Sequence, residues 1–348
     1  FTCLVSFFVS DVLSSGVWSE FEADSNISNN EYLSGLVSSL KESVLASKAG
    51  STTSKYSGGW KRWKVFAVQF KLQVFQVKPT ELALYIEHLK FSASSVSPIN
   101  SAIYSIRWAH NLAGISPPTD SNFLKSAIEG SRRKLAKRRS LKAPISSEVL
   151  STLVAAKGSL SASVIDLRLL FICLVSFSGM LRCDEVINLR LRDISIFKDH
   201  MAVFIAKRKN DQFREGHSVF IARSGKPTCP VAMAERYIAA LGVSSPSHPL
   251  ICGFRRSKSH GLKPTAKAIC YTTARDLILA GLSQYVDDPK ALGTHSLRAG
   301  GATEAASTGS VNERCITRQG GWKSSTSKDM YVKDSLSNRL SVSRAMKL

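Results

Sequence analysis

Acidic residues are scarce in this chain. Of 348 residues, 26 are Asp or Glu against 47 Lys or Arg, a formal charge of +21. A globular chain this basic implies a polyanionic partner, most often nucleic acid. The alternative, an anionic membrane surface, calls for a basic amphipathic helix or a lipidation signal, and the sequence has neither. Cysteine is sparse and scattered: the seven (Cys3, Cys173, Cys183, Cys229, Cys252, Cys270, Cys315) form no CxxC pair. That excludes a zinc ribbon or a disulfide framework and points to a reducing compartment, so secretion is not expected. Long apolar runs are also missing. Phe1–Val9 and Leu167–Phe177 are too short to span a bilayer, and the second contains Arg168, so it reads as a buried helix. There is no internal repeat and no low-complexity tract. The first residue is Phe1 rather than Met, so a longer chain is expected.

What is present is 44% hydrophobic residues, enough for sizeable cores and, at roughly 100–200 residues per domain, for two of them. Residues 1–30 remain unassigned. Residues 31–138 read as helical throughout. Leu33, Leu36, Val37, Leu40, Val44 and Leu45 share one face of a helix of about 3.6 residues per turn. Trp60, Trp63, Ala67, Phe70 and Val74 form a second stripe. Thr80 can cap a third helix carrying Leu82, Ile86 and Leu89, and Ile99, Ile103 and Ile106 mark a fourth that ends before Pro117-Pro118. Asp120 can cap a fifth, with Phe123, Leu124, Ala127 and Ile128 turned inward. This is a small helical bundle.

Arg132, Arg133, Lys134, Lys137, Arg138, Arg139 and Lys142 then crowd into eleven positions ending before Pro144. The run reads as a basic linker, its centre at 139–144, that needs a polyanion against it. From 145 to 348 the pattern is mixed. Val149–Val154 and Val164–Phe177 look helical, and Asp193–Ile196, Ala202–Ala206 and Ser218–Ile221 read as a small antiparallel sheet. Helical periodicity resumes at Val231–Leu241, Ala268–Leu279, Gly301–Ser307 and Val311–Gln319. The fold class is therefore mainly α with a small antiparallel β-sheet.

The chemistry concentrates in two places. Arg182 stands in Gly179-Met180-Leu181-Arg182-Cys183-Asp184-Glu185, and Lys209 in the turn between two expected strands. Near the end of the chain come His295, Arg298, Gly320-Gly321-Trp322 and, nine residues after that tryptophan, Tyr331. Breaking a phosphodiester without metal or water requires a nucleophile, positive charge on the non-bridging oxygens, a proton donor for the leaving oxygen, and prepositioning of all three. Two guanidinium forks can hold phosphate oxygens, a lysine ammonium can donate the proton, and Tyr331 can attack. Glu185, one turn beyond Arg182, can orient it.

These residues, in this order, resemble the tyrosine recombinases, the family of Cre, lambda integrase and the Xer recombinases. The family's first arginine matches Arg182 between Gly179 and Glu185. Its β-turn lysine matches Lys209, with Lys207 as second candidate. Its His-x-x-Arg box matches His295 and Arg298, its His/Trp position Trp322, and its nucleophile Tyr331. The resemblance covers about residues 145–348 with specific motifs and the preceding helical part only as a core-binding type of domain. Lys209-Asn210-Asp211-Gln212 and Gly320-Gly321-Trp322 are similar in style to recombinases of DIRS-like eukaryotic mobile elements. The resemblance implies a helical core-binding domain and a mixed α/β catalytic domain on double-stranded DNA. It also implies a 3′-phosphotyrosyl intermediate, no cofactor or metal, and a homotetramer on two DNA sites whose tail (Leu336, Leu340, Val342, Met346) docks on a neighbour. The expected compartment is the nucleus in a eukaryote, or the cytoplasm and nucleoid in a prokaryote.

Each residue has a plainer reading. An arginine after a helix is usually a salt-bridge partner, a buried tryptophan is usually core, and a basic run is usually a solvated face or a nuclear localisation patch. Only the ordered set favours catalysis. Arg132, Arg133, Lys134, Lys137, Arg138 and Arg139 are the expected phosphate contacts of the basic run. Two rivals stand beside recombination: type IB topoisomerase-like relaxation, which uses the same chemistry, and a domesticated DNA-binding protein that no longer cuts.

Overall fold

The computed structural model describes residues 11–137, 142–209, 211, 215–257 and 261–346. The chain forms two compact units, Phe1–Arg139 and Ser140–Leu348. It is mainly helical with small antiparallel sheets, as its periodicity implies.

The first unit contains α1 (Val17–Ala23), α2 (Glu31–Ala46), α3 (Gly50–Gln69), α4 (Pro79–Ser92), α5 (Ser97–Leu112) and α6 (Asn122–Lys134). Its core is the apolar stripe of α3 (Trp60, Trp63, Ala67) against Leu82 and Ile86 of α4, Ile99 and Ile106 of α5, and Leu124 and Ile128 of α6. Ala67 is the last buried residue of the stripe; α3 ends at Gln69, and Phe70, at its C-cap, is exposed. Residues 11–23, which carry no clear period, belong to this core. Val12, Leu13 and Trp18 are buried in it, and the Trp18 indole donates to the Leu112 carbonyl at 2.8 Å.

Several boundaries differ from the sequence reading. Pro79 opens α4, its fixed φ and missing N–H suiting the first helical position, so Thr80 lies inside the helix rather than capping it. Ser121 caps α6 in place of Asp120, which instead pairs with Arg107. Phe123 faces solvent. The apolar face of α2 forms as expected, yet none of its residues is buried within the chain.

Arg132, Arg133 and Lys134 are not linker. They form the last turn of α6, where cations complement the carbonyl end of the helix dipole. Arg132 also donates twice to the Asn100 side-chain oxygen, at 3.0 and 2.8 Å. Lys137 follows the helix, and Arg138 and Arg139 lie outside the described residues.

In the second unit α7 (Ser147–Lys157) precedes α8 (Val164–Ser178), whose residues Leu167–Ser176 are all buried. An all-round apolar helix must be central, and the other helices pack around it. After the short α9 (Cys183–Ile187), β1 (Ile194–Ile196), β2 (His200–Ile205) and β3 (His217–Ala222) make an antiparallel sheet in that order. Ile194 pairs with Val203, and Met201 with Ile221. Met201, Val203, Ile205, Val219 and Ile221 alternate into the core.

Then come α10 (Pro230–Leu241), a hairpin of β4 (Cys252–Ser257) and β5 (Gly261–Ala268), and α11 (Tyr271–Leu282). The hairpin replaces the early start expected for the helix at Ala268, since Pro264 and Thr265 suit an exposed strand and the helix is capped only at Cys270. The chain closes with α12 (Ser296–Ser307), α13 (Glu313–Gly320), α14 (Ser325–Asp329) and α15 (Leu336–Ala345). The six described cysteines are free thiols. No helix among the described residues is long and apolar enough to cross a membrane.

Candidate active site

The site begins at the end of α8. There the chain turns through Gly179 and Met180, and Met180 takes a left-handed backbone (φ +49°) although it has a side chain. Such a conformation costs energy and persists only where the surroundings impose it. It aims the Met180 carbonyl at Nη1 of Arg298, which donates to it.

Arg298 gets there because α12 crosses α8 at backbone contact. A Cβ on Gly301 would stand 1.9 Å from the Phe177 carbonyl oxygen, and one on Gly300 2.1 Å from that of Ile145. Only glycine permits this approach. Arg298 is wholly buried, and its Nη2 donates to the Gly320 carbonyl at 2.8 Å. One guanidinium thus joins the end of α8, α12 and the end of α13.

Arg182 caps α9. Its N–H donates to Glu185 Oε2 at 2.8 Å and its Nη1 to Glu185 Oε1 at 2.7 Å. Both ends of the arginine are fixed by one buried carboxylate, the orienting role expected of Glu185.

The distal residues close over Arg298. Its guanidinium carbon lies 4.1 Å from the centre of the Trp322 ring and 5.0 Å from that of Tyr331. The Trp322 and Tyr331 rings are 5.5 Å apart, and the His295 ring stands edge-on to Tyr331 at 5.8 Å. The backbone of Tyr331 is held as well. Its N–H donates to the Lys328 carbonyl at 2.8 Å, and the Thr303 hydroxyl of α12 donates to its carbonyl at 3.3 Å. Lys328, buried, is in turn ion-paired to Glu313 at 3.0 Å.

Lys207 and Lys209 both point outward from the turn after β2. Lys209 is the one whose charge bears on His295. Although solvent reaches His295, partial desolvation holds it below the usual histidine range, and Arg298, Arg182 and Lys209 push the same way. It is therefore neutral at pH 7 and able to accept a proton. Burial, then Arg182, also lowers the pKa of Arg298, which still stays charged at neutral pH.

Four of the six candidates, Arg298, Trp322, Tyr331 and His295, are thus gathered by ring and guanidinium contacts, while Arg182 and Lys209 bear on them through their charges. Two buried donors in the cluster, Trp322 Nε1 and Arg298 Nε, have no hydrogen-bond partner among the described residues. Buried donors are nearly always paired, and a cluster left open is suited to an anion.

Sequence reading missed one residue. Arg208, between the two exposed lysines, turns inward and lies against Glu185, its Nε 3.8 Å from Oε1.

No family model matches the chain. A curated relative does, the integrase/recombinase XerD homologue of Selenomonas ruminantium. It is 24% identical over 327 residues, 91% of this chain and 92% of the relative. Among solved structures, the XerH site-specific recombinase bound to its palindromic difH substrate, a post-cleavage complex, superposes with a TM-score of 0.56. It is 12% identical and covers 85% of this chain and 79% of that one. The chain therefore shares its fold with a site-specific recombinase of solved structure. In this fold, Gly300-Gly301 and the left-handed Met180 explain how Arg298 is delivered to a point its sequence position does not disclose.

Proposed function

We propose that this chain is a tyrosine recombinase, a site-specific recombinase or integrase that cuts and rejoins double-stranded DNA through Tyr331. The observation that carries this reading is the packing of the Tyr331 ring against His295, Trp322 and Arg298 in one cluster that retains unpaired buried donors. The Selenomonas relative bears the name integrase/recombinase, and the XerH structure is that of a site-specific recombinase on its substrate.

In this reading the Tyr331 oxygen attacks a DNA phosphorus and neutral His295 takes up the phenolic proton. The phosphorus–oxygen bond to the 5′ side breaks, Lys209 gives that oxygen a proton, and a 3′-phosphotyrosyl link remains. Arg182, Arg298 and the Trp322 N–H neutralise the non-bridging oxygens as charge develops there. Attack by a 5′-hydroxyl on the phosphotyrosine reverses the sequence, so rejoining needs no external energy source. Arg132, Arg133, Lys134 and Lys137, with Arg138 and Arg139 outside the described residues, would contact DNA phosphates, each adding about 0.9 to the log–log salt slope. Four copies acting on two DNA sites complete the reading. The exposed Leu336, Leu340 and Val342 of α15, with Met346 just past its end, support contact with a neighbouring copy.

The test is covalent capture of a random pool of nicked duplexes, whose short 5′ fragment diffuses away after cleavage. The unaltered chain should retain DNA through denaturation, and Tyr331→Phe should retain none while still binding duplex. Equal capture by Tyr331→Phe would remove the nucleophile assignment. Relaxation of plasmid without exchange between two captured sites would favour the topoisomerase-like rival. No capture at all would favour a binding protein that does not cut.

A further inference from the structure

Arg208 is a costly residue to bury. Its side chain is only 5% exposed, and its Nε, Nη1 and Nη2 are all buried with no hydrogen-bond partner among the described residues. A purely structural arginine in a core normally satisfies its fork. Arg168, in the same unit, leaves only its Nε buried and unpaired: it donates Nη1 to the Cys252 carbonyl at 2.6 Å and lies over the Phe254 ring, whereas all three nitrogens of Arg208 lack a partner among the described residues. A buried, unsatisfied guanidinium is kept only where something else compensates for it.

Two contacts define its place. On one side is Glu185 Oε1, at 3.8 Å from Nε, the same oxygen that receives Arg182 Nη1. On the other is the backbone of Gly321, the residue before Trp322. Gly321 has φ +64°, and a Cβ there would fall 1.4 Å from Arg208 Nη1. Arg208 therefore shares a carboxylate with one phosphate-binding candidate and packs directly against the turn that carries another. It also adjoins Lys209 in the chain.

The charges make the same point. Arg182, Arg208 and Arg298 stand in one another's field with Glu185 as the buried carboxylate among them. Asp211 adds a weaker opposing charge, its carboxylate accepting from the N–H groups of Glu215 and Gly216. Three guanidiniums against one buried carboxylate leave a positive excess. A phosphodiester brings one negative charge, and its oxygens gather more as the fifth bond to phosphorus forms. Such a cluster is best neutralised in the transition state.

We propose that Arg208 is a positioning residue of the strand-cleavage site: through Glu185 and Gly321 it sets Arg182 and Trp322, and it adds the third guanidinium that favours the charged transition state. The inference rests on the DNA-cleaving reading above.

The probe is the nicked duplex that the unaltered chain captures from the random pool. With Arg208→Met, covalent capture should slow by about 10- to 100-fold, the size of effect that misplacing a transition-state group produces. The affinity for the same duplex should stay within about 3-fold, and the thermal midpoint should hold or rise, because a buried unpaired charge has been removed. Arg208→Lys, which keeps charge without the fork, should fall between. A methylphosphonate at the scissile position removes one charged oxygen, so the gap between unaltered chain and Arg208→Met should shrink on that substrate.

Capture by Arg208→Met at the unaltered rate overturns the proposal. So does a joint fall of capture, affinity and midpoint, the mark of a merely structural arginine, and so does a gap that is the same on both substrates. Absence of capture by the unaltered chain is a separate result and overturns the reading on which the proposal rests.

Discussion

The tryptophans of the two units differ in one respect. In the helical unit, the indoles of Trp18, Trp60 and Trp63 each donate to an oxygen: Leu112 O at 2.8 Å, Asp11 Oδ2 at 3.2 Å and Val74 O at 2.9 Å. In the second unit, Trp322 is as buried as a core residue, yet its Nε1 has no partner among the described residues. The arginines repeat the contrast. Arg132, on the helical unit, has its fork engaged by Asn100, whereas Arg208 and Arg298 keep unpaired nitrogens. A core satisfies its donors because each unpaired one costs about 1–3 kcal/mol. Where that cost is tolerated in a cluster around a tyrosine, the simplest reason is a ligand that accepts the bonds.

The contrast can be broken most directly at Trp63. Trp63→Ala should destabilise the helical unit by about 3–5 kcal/mol, through lost packing and an unpaired Val74 carbonyl. Denaturant unfolding measures this. The comparison requires a different result at Trp322: Trp322→Phe should change stability by less than about 1 kcal/mol while slowing covalent capture about tenfold or more. Equal stability losses at the two positions would make Trp322 another core tryptophan.

The next largest effect is expected at Gly301. An alanine there would meet the Phe177 carbonyl at 1.9 Å, forcing α12 away from α8. A loss of about 1–3 kcal/mol should accompany a loss of capture, because Arg298 moves with the helix. Retained capture in a folded Gly301→Ala protein would show that the backbone approach is not what places Arg298.

The smallest effect concerns a buried group of the helical core that is not fully paired. His110 is fully buried, packs edge-on to Trp60 and Phe75, and has Nδ1 2.8 Å from the Ile106 carbonyl, with Nε2 unpaired. Burial lowers its pKa below the ordinary 6.5. The neutral ring therefore favours folding. Its contribution is complete above about pH 6.5 and is lost as the pH falls from there toward the ring's lower folded value. Unfolding followed from pH 7 to 5 should show this acid-sensitive component, and His110→Phe should flatten it. An unchanged slope would mean that His110 does not titrate with folding.

Much of the candidate site was legible because its residues stand in a recognisable order along the chain. Arg182, Lys209 (with Lys207 as the alternative), His295, Arg298, Trp322 and Tyr331 could be named because their order and spacing resemble those of a known family. Arg208 could not. Along β2 the odd positions face the core (Met201, Val203, Ile205), and extending that alternation would turn Lys207 inward. The strand ends at Ile205, the phase slips by one residue in the turn, and Arg208 is buried between two exposed lysines. Residues 11–23 escaped for a related reason. Their helices are too short to show a period, and Trp18 is buried by contacts nearly a hundred residues away.

The sequence by itself determined the helical character, the antiparallel sheet and the ordered set of groups able to transfer a phosphoryl bond to a tyrosine, since periodicity and residue chemistry are local properties. Which of those groups are satisfied, and which remain open to an acceptor, only the tertiary structure decided. Pairing depends on what distant segments bring: a carbonyl turned by a left-handed methionine, two glycines that admit a helix, and one carboxylate shared by two arginines.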